Sequence, residues 1–234
     1  MPQQDAQEFL LLLDRKVALV IARVEESEVH RTILDPNTPP PLLVAIIRSI
    51  LFEVGSYGPH ITEATFTAIG RLRGHEEFMR PLTSQLLDEV LHPDMAVKSY
   101  LQMGGDEACL DTGRISPAAF AVGAVCRSLG GHESPFCYLG YMYLLEGTTA
   151  VLAERYRVAL ERKGSEVEFV TTHAREDVEH ASYLRDQIAR IVRQVPDAAP
   201  AIEYGFDCLA AVYPLPVWSA ALSRARPETN SGDP

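Results

Sequence analysis

Apolar positions recur along most of the chain at spacings of three and four, the period of helices that turn one face to a core. Residues 5–33 are dense in Leu, Val and Ala, then break at Asp35-Pro36-Asn37-Thr38-Pro39-Pro40-Pro41. Thr38 is placed to cap the next helix and the prolines to open it. Residues 42–57 form a second helical run, ended or kinked at Gly58-Pro59, and residues 60–73 resume the pattern. Residues 75–91 follow, up to a break at Pro93, and residues 104–113 read as loop. Ser116-Pro117 opens a helix that closes at Gly130-Gly131, and Ser134-Pro135 opens a long one that Gly164 ends. Ser165-x-x-Glu168 has the form of a capping box ahead of a helix reaching residue 194. A last helical region spans residues 198–224, interrupted at Pro214-Leu215-Pro216, and residues 226–234 read as a disordered polar tail. No strict alternation competes. The pattern predicts an all-α chain, one domain over residues 1–225, with seven or eight helices.

Charged residues on core faces are the anomaly in this pattern. After Gly164 the apolar stripe runs Phe169, His173, Asp177, His180, Leu184, Ile188, Ile191. At 100° per residue, His173, Asp177 and His180 fall within about 60° of one another. One such histidine alone is ordinarily a hydrogen-bonded core residue, and a solvated face would also account for polar residues. Burying an imidazole, a carboxylate and a second imidazole together costs several kcal/mol unless something binds them, and a divalent cation does so.

The long helix repeats the anomaly. Between Glu133 and Glu154 the one formal charge is Glu146, with no cation among its helical neighbours. Glu53 stands the same way above Ile46 and Ile50, with Arg48 on the wrong side to neutralise it. Glu89 and His92 lie three apart at a helix end, a spacing common by chance. It gains weight because bundle di-iron sites combine Glu-x-x-His with lone Glu residues. Glu53, Glu89, Glu146 and Asp177 carry four negative charges, which two divalent ions balance, while His92, His173 and His180 are neutral ligands. Oxygen-rich ligation without a thiolate favours iron or manganese over structural zinc.

The chain has 234 residues, 47% hydrophobic, with a net charge of −11. Such a charge repels phosphate backbones and anionic lipid, so neither nucleic acid nor membrane is an expected partner. The longest apolar stretches, residues 9–13 and 117–126, are too short to span a bilayer. Four scattered Cys residues, and a start unlike a signal peptide, suggest a cytoplasmic protein with reduced thiols.

Glu146 followed by His173-x-x-x-Asp177-x-x-His180, with Glu53 and Glu89/His92 ahead of them, resembles the haem-oxygenase-like di-iron oxidases and oxygenases. The resemblance covers residues 42–191. It implies a haem-oxygenase-like bundle and a pair of Fe(II)/Fe(III) ions on Glu53, Glu89, His92, Glu146, His173, Asp177 and His180. It also implies O2 as co-substrate. Members desaturate or cleave aliphatic chains, N-oxygenate amines or fragment amino acids in small-metabolite and natural-product pathways. A small amine or amino-acid-derived substrate is therefore expected, with an external electron donor and a homodimer. His60, seven residues after Glu53, is a rival to His92 as ligand. Tyr57, Met142, Tyr143 and Thr149 are candidates to line the substrate pocket. His30, His75 and His132 are read as solvent-exposed. A metal-free thiaminase-II-like enzyme using Cys137, a cofactorless oxidase, and an iron-binding or scaffold protein are the alternatives.

Overall fold

The computed structural model describes residues 5–230, all connected through helices and short turns. Helices α1 (Ala6–Glu25) and α2 (Glu28–Leu34) precede the longest, α3 (Pro40–Gly70). Then come α4 (Glu76–Glu89), α5 (His92–Gln102), α6 (Glu107–Thr112) and α7 (Pro117–His132). The second half holds α8 (Cys137–Glu161), α9 (Glu168–Gln194), α10 (Ala198–Ala210) and α11 (Leu215–Asn230). There are no strands among the described residues, and the chain is a single all-α domain. The described residues form eleven helices, more than the seven or eight expected, because the short α2 and α6 and the turn between α4 and α5 add boundaries.

Two helices organise the bundle. The α3 helix packs against α5, α7 and α11, while α8 packs against α9 and α10 and is touched by α1, α2 and α7. Fifteen of the 25 residues of α8 are buried, and Glu146 lies among them. A helix apolar nearly all round belongs at a centre, where every face meets another element.

The helix does not end at Gly58-Pro59; α3 runs through the pair with Pro59 inside it. A Cβ on Gly58 would come 2.9 Å from Pro93 Cγ, so this glycine lets α5 approach α3 closely. As one helix, Pro40–Gly70 is long and apolar enough to cross a membrane, as is the stretch Ala198–Arg226; about half of each apolar window (56% and 50%) is buried inside the bundle. The apolar segments are thus longer than the residue runs suggested.

Other local expectations divide. Ser116 caps α7 by accepting from the Ala119 N–H at 3.1 Å. Gly164 closes α8 at φ +73°, a conformation that favours glycine. The Ser165/Glu168 capping box does not form: α9 begins at Glu168 itself, behind Val167, without a side-chain cap. Thr38 likewise donates to the Thr32 carbonyl at 2.6 Å instead of capping α3. The tail expected to be disordered from residue 226 begins inside α11, which extends to Asn230, and residues 231–234 lie outside the described residues.

Candidate metal centre

Glu89 is the last residue of α4 and His92 the first of α5, so a two-residue turn brings both onto one edge of the α3–α8 interior. His92 Nδ1 lies 2.6 Å from Glu89 Oε2. Across from them, α9 presents His180, whose Nδ1 is 2.7 Å from Glu89 Oε1 and 3.9 Å from Glu146 Oε2. The His180 and Glu89 atoms, 2.7 Å apart, form an ion-pair contact, and neither atom has a partner besides the other. Ligand-capable atoms of Glu89, Glu146 and His180 all lie within 4.8 Å of one another. The His92 ring sits 4.5 Å, centroid to centroid, from His173 and 6.4 Å from His180.

Asp177 completes the group. It is 1% exposed, and neither carboxylate oxygen has a hydrogen-bond partner. His173 holds Phe169 O at 2.7 Å through Nδ1. That bond assigns the proton to Nδ1 and leaves Nε2 with the free lone pair, the arrangement a metal-binding imidazole needs.

The electrostatics record the crowding. Burial raises the Glu146 carboxyl well above its ordinary value, and the charges of Glu89 and Asp177 push the same way. Burial, with Glu89 nearby, pushes Asp177 up to about 7 against the opposing pull of the Thr149 hydroxyl. Glu89 is buried too, which alone would raise it, but His180 and His92 hold it down to about 2. Burial and the neighbouring His92 push His173 down to about 4, toward the neutral form. Glu89, Glu146 and Asp177 therefore meet three imidazoles in a buried cluster with unpartnered oxygens. This donor set, carboxylate and imidazole without thiolate, fits iron or manganese.

Glu53 is a correction. It is fully buried, but its carboxylate accepts the Ser116 N–H at 3.1 and 3.0 Å and pairs with Arg224 Nη2 at 2.8 Å. It is satisfied by α7 and α11 and does not join the cluster. With three carboxylates in place of four, two divalent ions would leave one positive charge in excess. His60, the rival to His92, packs over Gly123 of α7 beside Arg127 and Glu63, away from the cluster. His30, expected in solvent, is buried and bonded through Nδ1 to the Tyr156 hydroxyl at 2.9 Å. His75 is half-buried against Phe78 and Phe136, and His132 is exposed as expected.

Beside the cluster lies a cavity of about 170 Å³, with Glu89, His92, Glu146, His173 and Asp177 in its wall. Tyr57, Met142 and Thr149 line it as expected. Tyr143 does not: it faces α1, where its hydroxyl donates to Asp14, which Arg185 grips at 2.6 and 2.7 Å. Sequence reasoning missed Tyr156, Phe169, Tyr213 and Trp218, which supply the aromatic wall. The single Trp, following Tyr213 and an interrupted helix, was the available signal.

This architecture is that of a haem-oxygenase-like bundle with an internal carboxylate–imidazole centre. Residues 57–213 match the family described as iron-containing redox enzymes, and the chain belongs to that family. No curated protein matches the chain. Among solved structures, a domain of unknown function with a heme oxygenase-like fold from Shewanella denitrificans OS217 is similar. It is 18% identical over 94% of this chain and 93% of that one, with a TM-score of 0.71. A TenA homolog from Pseudomonas syringae pv. tomato DC3000 is 19% identical over 97% of each chain, with a TM-score of 0.68. Likenesses this distant in sequence establish the fold.

Proposed function

We propose that the chain is a non-haem di-iron enzyme that uses O2 to oxidise a small metabolite. Asp177 carries this reading: a buried carboxylate with both oxygens unpartnered, set among two other carboxylates and three imidazoles, is stable when cations bind it. Glu89, His92, Glu146, His173, Asp177 and His180 are the proposed ligands. Iron held there would supply electrons to dioxygen. The residues of the chain do the rest. The Phe169 carbonyl keeps the His173 proton on Nδ1, and the largely apolar cavity wall gives the substrate a surface beside the ligands.

Ile50, Leu51, Val54, Phe169 and Trp218 offer a substrate an apolar surface. No Lys or Arg lines the cavity among the described residues, so a substrate's charged end finds its ionic partners at the centre itself. An amine or amino-acid-derived metabolite is the proposed class, its body apolar and its polar end at the metals. An external electron donor, a homodimer and a cytoplasmic setting in a biosynthetic pathway complete the proposal. The thiaminase-like alternative is less well supported: Cys137 is buried outside the cavity wall, with its thiol pushed up to about 11 by burial.

Anaerobic titration with Fe(II) tests the proposal. The expected result is about two tightly held irons per chain, followed on exposure to O2 by oxygen uptake and a transient visible absorption. Retention of less than one iron, or iron-loaded protein inert to O2, would overturn it.

A further inference from the structure

Glu89 borders a second chamber. It has a volume of about 10 Å³ and is lined by Thr65, Leu82, Gln85, Leu86, Glu89, Tyr138, Met142 and Leu184. Two of its walls are polar groups with nothing to bind. Tyr138 is 3% exposed and Gln85 8% exposed, and neither the Tyr138 hydroxyl nor Gln85 Nε2 has a hydrogen-bond partner. Glu89 Oε1 has the His180 imidazole at 2.7 Å and a further lone pair to offer. Gln85 sits one turn before Glu89 on α4, so the two side chains share a face. The remaining hydroxyl, on Thr65, is already engaged by the Ile61 carbonyl and the Tyr141 hydroxyl, each at 2.9 Å.

A buried donor left without a partner bears its full desolvation penalty, so each of the two calls for an acceptor. A water molecule needs roughly 10–15 Å³ of free space for its centre and two to four polar partners. The chamber meets both requirements at their lower bound, with two donors and one carboxylate around room for a single oxygen. The cluster by itself gives the Tyr138 and Gln85 donors no role.

We propose that Tyr138 and Gln85 form a binding site for one water molecule, which accepts from both and donates to Glu89, and so positions that carboxylate for the metals. The proposal rests on Glu89 being a ligand. Groups that orient a ligand in this way typically contribute 10–100-fold to metal affinity. Because the two residues act through one water, losing either removes most of the effect. The double variant should then be little worse than the worse single.

Mn(II) affinity measured by electron paramagnetic resonance on wild type, Tyr138→Phe, Gln85→Met and the double variant tests this without relying on turnover. Tenfold or greater weakening in each single variant, with a strongly non-additive double, is expected. Single variants within twofold of wild type, or fully additive losses, would overturn it. A wild type that binds no metal would instead overturn the metal reading itself. A high-resolution crystal structure of the metal-loaded wild type gives the independent check. Density for one oxygen within hydrogen-bond distance of Tyr138, Gln85 and Glu89 supports the site, and a dry chamber refutes it whatever the variants do.

Discussion

Replacing Asp177 by Asn is expected to raise the stability of the metal-free protein at pH 8 and to abolish most of the stabilisation that metal confers. The first effect follows from burial. The carboxyl titrates near 7 in the folded chain and near about 3.9 when unfolded. Between those values the folded state binds more protons than the unfolded state, so stability falls as pH rises through roughly 4 to 7. Well above pH 7 the loss is complete, on the order of 4 kcal/mol. The amide keeps the shape and does not ionise. The variant should therefore match wild type near pH 4 and exceed it at pH 8. The second effect has the opposite sign. Metal bound at about 100 times its dissociation constant stabilises wild type by about 2.7 kcal/mol, and the variant, short of one carboxylate, should gain far less. Thermal unfolding at both pH values, with and without Mn(II), reads both effects. Identical pH profiles and equal metal responses would contradict the assignment.

The second large effect concerns Glu53. Arg224→Ala is expected to destabilise the protein by about 3 kcal/mol while leaving the iron stoichiometry unchanged. Glu53 has no exposed surface, and burial raises its carboxyl even though Ser116 and Arg224 both favour its charge. Removing the guanidinium strands a buried carboxylate and also removes its packing over the Phe52 ring, 4.9 Å from the ring centroid. It also breaks a tie between α11 and the segment before α7, since Arg224 donates to the Arg114 carbonyl at 3.1 Å. Urea unfolding reports the stability and iron analysis the stoichiometry. Loss of iron in proportion to Glu53 exposure would mark that residue as a ligand after all.

Glu53 also shows where sequence reading reaches its limit. Its isolation on α3 looked the same as the isolation of Glu146 on α8, because neither has a cation on its own face of its helix. The difference is Arg224, which folding brings in from the far end of the chain. The His173, Asp177, His180 trio was legible because all three residues lie on one helix whose stripe they interrupt, so local periodicity alone exposes them. Glu89 and His92 were legible by spacing, although they sit on two helices across a turn. The Gly58-Pro59 pair misled because a glycine that permits close helix packing has the same letter as one that ends a helix. Tyr143 misled for a related reason: it shares the long helix with Glu146 but turns its hydroxyl to Asp14. The Tyr156 and Trp218 wall was invisible, since aromatic residues on helices far apart in sequence reveal a shared cavity only once the bundle is closed.

Six side chains from α4, α5, α8 and α9 jointly holding two iron ions are the centre of the proposed function. Anomalous diffraction at the iron edge from crystals loaded anaerobically tests it most directly. Two peaks are expected, each bounded by carboxylate and imidazole atoms drawn from Glu89, His92, Glu146, His173, Asp177 and His180, with none at Glu53. A single peak, peaks elsewhere in the bundle, or no anomalous signal in fully loaded crystals would contradict it.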